Sequence, residues 1–171
     1  YIYDEAVYGD ATDWSKVNSL DTLAAALPDL KAAAPNERPM VYNNQIPSLK
    51  YFEDHVSPVG IYTATVGDSS ELVNTYSTDA FREACEMAYE WSQAGYSNPE
   101  GSANTLGHDA VVMSGQSKGV IMGHSATVEG IAEMFTENNT YGGTFDAVQI
   151  AISDMTTNTL TYGVAYTSEN V

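Results

Sequence analysis

The sequence predicts an α/β fold with a central mixed sheet flanked by helices. Three observations lead there: short β-rich runs alternate with helix-period segments, the chain of 171 residues suits a single domain over 1–171, and 43% of it is hydrophobic. Folding at this length buries roughly 70% of the extended chain's surface, enough for a core without metal or disulfide support. Cys85 is the single cysteine, so the chain holds no internal disulfide.

The elements follow in order. Tyr1-Ile2-Tyr3 reads as a strand, and the acidic, glycine-containing stretch through Asp13 as a turn region. Asn18-Ser19 precedes Leu20, Leu23, Ala24, Leu27, Leu30 and Ala34, the spacing of a capped amphipathic helix, with a kink expected near Pro28 and an end at Pro35. Met40-Val41-Tyr42 is the next strand, opening into Asn43-Asn44. Gln45 to Gly60, with Pro47 and Pro58, lacks a sustained period and reads as a surface excursion. Ile61 to Val66 and Glu71 to Tyr76 pair as a hairpin around Gly67-Asp68-Ser69-Ser70. Ser77 or Thr78 caps a helix carrying Phe81, Ala84, Cys85, Ala88 and Trp91 or Ser92 on one face, closed by Gly95. Asp109 to Met113 is a short helix ended by Gly115, and Gly119 to Gly123 is a buried strand. A helix from Ser125 or Ala126 to about Glu137 follows, then strands at Phe145 to Ile152 and Leu160 to Tyr166.

Charge restricts the partners. Six Lys and Arg stand against 23 Asp and Glu, a formal charge of −17. Such a surface repels phosphate backbones and anionic headgroups, which argues against nucleic acid and membrane-surface binding. No apolar run approaches the ~20 residues of a membrane span. Residue 1 is Tyr and no basic segment precedes an apolar one, so the chain is expected to be a mature or excised segment whose targeting signal is missing.

The sharpest local motif is Gly123-His124-Ser125-Ala126-Thr127 between a strand and a helix, similar to the nucleophile elbow of α/β-hydrolases. Thr127 stands where the second glycine belongs, and no histidine follows His124; the others are His55 and His108. The same segment suits ligand binding, because a helix N-terminus presents N–H groups and hydroxyls to a polar solute. The histidines lack zinc spacing, the acidic clusters lack a calcium loop, and no phosphate-binding glycine loop occurs, so neither metal nor cofactor is expected. Asn138-Asn139-Thr140 forms a glycosylation sequon. Twelve Tyr and two Trp supply rings that stack on sugar C–H faces, with Trp14, Tyr42, Tyr62 and Tyr162 near strand or loop ends the better candidates.

Taken in order, five stretches resemble one lobe of the extracellular solute-binding proteins of ABC importers, family 1-like, of the sugar-binding type, in the type II arrangement. Tyr1-Ile2-Tyr3-Asp4 is similar to the hinge strand, and Val17 to Leu23 to the entry of the following helix. Asn74 to Tyr96 resembles the helix ending in a Trp followed by Ala-Gly-Tyr. Met113 to Gly123 resembles the family's Phe-x-x-Gly segment with its closing Gly, and Phe145 to Ile150 with Tyr162 to Asn170 the near-ligand strand and return crossing. Leu20 and Val17 replace the Trp and Pro of the helix entry, and Met113 replaces Phe.

The resemblance implies the second lobe of a two-lobed protein whose first lobe is absent, and so half of a binding site that closes over its solute. It implies an ABC importer permease as partner, no cofactor, no catalysis, and a location outside the cell, lipid-anchored through a missing leader, or in the periplasm. The implied ligand-binding residues are Tyr3, Asn43, Asn44, His124, Ser125, Thr127 and Tyr162, neutral groups that suit an uncharged small solute such as a carbohydrate. Two readings from other classes stand beside it: a serine hydrolase with Ser125 as nucleophile, and a surface interaction domain without a small ligand.

Overall fold

The computed structural model describes residues 1–40, 62–65, 68–97, 108–121 and 127–150, with backbone alone for 62–65, 68–72 and 108. The chain divides into two compact units, Tyr1–Gln45 with Ala88–Ala151, and Ile46–Met87 with Ile152–Val171.

In the first unit, strand β1 (Ile2–Asp4) is antiparallel to both its neighbours. The chain continues through the short helix α1 (Glu5–Tyr8) and the long helix α2 (Leu20–Ala33). Ser19 caps α2: its hydroxyl accepts from the Thr22 N–H at 3.2 Å while the Thr22 hydroxyl accepts from the Ser19 N–H at 2.9 Å, a reciprocal cap. Leu20, Leu23, Ala26, Leu27 and Leu30 form its buried stripe. Pro28, where a kink was expected, is exposed and lies within one continuous helical span.

In the second unit, β2 (Tyr62–Thr65) pairs antiparallel with β3 (Asp68–Asn74), the expected hairpin. The register shifts between Thr63 and Thr65, and β3 begins at Asp68, inside the span expected as turn. Helix α3 (Asp79–Gln93) crosses from this unit into the first, with Thr78 accepting from the Phe81 N–H at 3.2 Å at its start. Gly95 ends it in the left-handed region at φ +74°, as expected.

Helix α4 (His108–Met113) and strand β4 (Gly119–Val120) return to the first unit, followed by α5 (Val128–Asn138) and β5 (Phe145–Ala147). The sheet order β4-β1-β5 places β1 between two strands joined through α5. Since each opposes β1, β4 and β5 run the same way, a β-α-β unit split by an inserted strand. The mixed sheet expected from the strand pattern is thus, among the described residues, a set of antiparallel ladders. Strand alternation alone does not reveal that β1 intercalates between β4 and β5.

Ile2, Val120, Phe145 and Ala147 line one face of this sheet and pack with Ile131, Ala132 and Phe135 of α5 and Val112 of α4. Phe135 is fully buried with its ring edge-on to Phe145 at 5.6 Å. Its burial contributes about 1.5–3 kcal/mol.

Four expectations shift at their edges. The stretch expected as turn before Asp13 opens with α1, because the Asp4 carboxylate accepts from the Ala6 N–H at 3.1 Å. Helix α5 starts at Val128 instead of 125 or 126, because the Thr127 hydroxyl caps Gly130 N–H at 3.1 Å. The strands expected at Gly119–Gly123 and Phe145–Ile152 are shorter, although Val148 N–H still donates to Tyr1 O at 2.8 Å. Met40 is buried outside any strand, and Val41-Tyr42 and Leu160 to Tyr166 lie outside the described residues.

Candidate functional site

Along β1 the alternation of side chains sends Ile2 to the α5 core and Tyr1 and Tyr3 to the opposite face. There Trp14, opening a single helical turn (Trp14–Lys16), stacks face to face on Tyr3, with ring centres 3.9 Å apart and planes within 7°. Tyr1 lies near-parallel at 5.7 Å from the same indole. The indole N–H donates to Tyr8 O at 2.9 Å, which fixes the ring's rotation. An exposed Lys16–Asp13 ion pair of 2.8 Å spans the same turn. The Tyr1 hydroxyl donates to Pro39 O in a buried hydrogen bond.

Register places Tyr3 opposite Asp146 of β5, and the Tyr3 hydroxyl donates to Asp146 Oδ2 at 3.1 Å. Burial, then the adjacent carboxylate, raises the Tyr3 phenol well above its ordinary value, so it stays protonated as a donor. Asp146 is exposed, and its Oδ1 accepts from the Ala147 N–H at 2.7 Å.

A second polar cluster sits at the far end of β1. Asp4 is 3% exposed, and its Oδ2 accepts from the Tyr141 hydroxyl at 2.8 Å, with Lys118 Nζ at 3.9 Å. The same ammonium lies 3.6 Å from the centre of the Tyr141 ring. Asn139 shapes the loop that delivers Tyr141, accepting from the Gly143 N–H at 2.8 Å and donating to Phe135, Thr136 and Gly143 carbonyls. Compensation of a buried carboxylate by a phenol, an ammonium and a backbone amide is the arrangement that makes its burial tolerable. This cluster holds β1 to the loops before β4 and β5.

The structure brings together Tyr3 and Trp14 of the residues selected from sequence, and leaves Tyr3 only 2% exposed under the indole. Thr127 is exposed, and its hydroxyl oxygen serves the α5 cap, which leaves its O–H available as a donor. Asn43, Asn44, His124, Ser125 and Tyr162 lie outside the described residues, as do Tyr42 and His55; the hydrolase geometry around Ser125 is likewise outside them. Sequence reasoning missed Asp146, which only cross-strand register connects to Tyr3. Among the described residues, no group of three or more His, Cys, Asp or Glu is placed to hold a metal ion. No helix among them is long and apolar enough to cross a membrane.

No family model matches the sequence, and no curated protein matches it. Two solved structures share its fold. Both are of the N-glycan transport solute binding protein (NgtS) from Streptococcus pneumoniae, one in complex with Man5GlcNAc. The complex superposes with a TM-score of 0.54 at 17% identity, and the other structure with 0.53 at 16%. Each match covers 92% of this chain, and this chain spans about a third, 35%, of the length of those proteins.

Proposed function

We propose that the chain is one lobe, the second, of an extracellular solute-binding component of an ABC importer, and that it captures a small neutral carbohydrate. The observation that carries the reading is the fold shared with a glycan-binding solute receptor over 92% of the chain. The ordered segments between Tyr1 and Asn170 that resemble such a lobe support it as well. The chemistry agrees: an acidic chain disfavours anionic solutes, while rings and hydroxyls suit a polyhydroxylated one.

On this reading Tyr3, Asn43, Asn44, His124, Ser125, Thr127 and Tyr162 form the lobe's share of the site, and the permease recognises the closed form. The protein acts outside the cell, held at the surface by a lipid anchor, or in the periplasm, and performs no catalysis. Tyr3, buried beneath Trp14, serves the site by supporting its neighbours. An isolated lobe lacks the opposing wall, so its affinity is expected to be weak.

Calorimetric titration of the chain with Man5GlcNAc and a panel of neutral oligosaccharides tests the reading. Saturable binding of a neutral glycan is expected. Absence of any glycan binding, together with fluorophosphonate labelling that disappears in Ser125→Ala, would replace it with the hydrolase.

A further inference from the structure

We propose that Trp14 and Asp146 form a pyranose-binding subsite on the face of the sheet opposite α5, with Tyr3 as its positioning residue. The inference rests on the carbohydrate reading and names residues which that reading did not include in its site.

Trp14 is only half-buried although one face of its indole is covered by Tyr3. Its N–H is already consumed by Tyr8 O, so what the ring still offers is π surface, the property that stacks on a sugar's C–H face. Asp146, exposed at the same face, offers the complementary polarity. Its Oδ2 takes the Tyr3 hydroxyl and its Oδ1 the Ala147 N–H. Each carboxylate oxygen accepts about two hydrogen bonds, so each retains one site. Two such sites side by side match a pair of adjacent sugar hydroxyls.

Tyr3 joins the two. Its ring backs the indole at 3.9 Å and its hydroxyl holds the carboxylate at 3.1 Å, so both groups are ordered before any ligand arrives. Pre-ordering of this kind lowers the entropic cost of binding. A carboxylate repels anionic sugars, and a ring without a spare donor adds no polar demand. The class of ligand is therefore a neutral pyranose with adjacent free hydroxyls. Were Trp14 only a lid over Tyr3, the exposed carboxylate would have no part in binding.

The chain has two tryptophans, and Trp91 is buried within α3, so Trp91→Phe leaves Trp14 as the sole indole reporter. Titration of that variant with methyl α-D-mannopyranoside and with Man5GlcNAc should change Trp14 emission saturably. Asp146→Ala should weaken the association at least about tenfold in a chain that stays folded by circular dichroism, with a lowered melting temperature because the buried Tyr3 hydroxyl loses its acceptor. Tyr3→Phe keeps the ring and loses the grip on Asp146, and should weaken it by less. Man5GlcNAc binding by calorimetry that survives both Asp146→Ala and Trp14→Leu, which removes the stacking ring, would overturn the subsite while leaving the carbohydrate reading intact. Absence of binding by every glycan in the panel would overturn both.

Discussion

Gly119 lies directly beneath the Tyr1 phenol: a Cβ at residue 119 would overlap both the Tyr1 hydroxyl and the Pro39 carbonyl that this hydroxyl binds. The Tyr1 ring lies near-parallel to those of Trp14 and Tyr3, the residue is 6% exposed, and its hydroxyl is bound to the Pro39 carbonyl, so no flexible end can swing away. Gly119→Ala should therefore cost about 1–3 kcal/mol, the range for overpacking a filled site. Urea denaturation followed by circular dichroism measures it, and a change near zero would show that the Tyr1 ring yields.

Tyr141 is the hydrogen-bond donor to a carboxylate that is 3% exposed. Tyr141→Phe preserves the ring over which Lys118 sits but removes the hydroxyl from Asp4. Loss of a partner to a buried charged acceptor costs about 1–3 kcal/mol. The same denaturation assay should report it, and Tyr141→Phe should be no milder than Tyr141→Leu only if the hydroxyl, and not the ring, holds the loop.

Alkaline pH should destabilise the first unit. Tyr1, Tyr3, Tyr8 and Tyr141 all have phenols raised above the ordinary value of 10.0, in each case first by burial. A raised folded value means that the protonated form is favoured by folding. The stability is complete below the unfolded value near 10 and falls as pH rises above it toward the folded values. Melting temperatures should be flat across neutral pH and decline above about pH 10. A decline of equal size in a Tyr3→Phe, Tyr141→Phe double variant would mean that other groups are responsible.

The helix caps give a local test. Ser19 and Thr127 each accept from a backbone N–H in the first turn of α2 and α5. Ser19→Ala and Thr127→Ala should each destabilise by about 1 kcal/mol. The sites are on separate helices, so the double variant should show the sum, measured by thermal unfolding.

What was readable beforehand followed from local signals. Ser19 and Thr22 announce the start of α2 three residues apart, Gly95 and Gly115 mark left-handed ends, and the turn residues near 67–70 point to the β2–β3 hairpin. Helix α1 escaped because four residues are too few to show a period, and its cap, Asp4, looked like part of an acidic turn. Composition alone does not single out Thr127 as the cap of α5, which its bond from the Gly130 N–H identifies. The candidate site was harder. Tyr3 was legible as a strand residue and Trp14 as an aromatic near a loop, but their stacking joins two elements through the α1 turn. Asp146 stands 143 residues from Tyr3, and no local pattern reports a register between β1 and β5.

The central claim is that this chain carries part of a carbohydrate-binding surface. The most direct measurement is isothermal calorimetry of the chain against Man5GlcNAc and a panel of neutral oligosaccharides. The account predicts saturable, weak binding of at least one neutral glycan, reduced by Asp146→Ala. No heat of binding from any glycan, with the chain folded by circular dichroism, would contradict it.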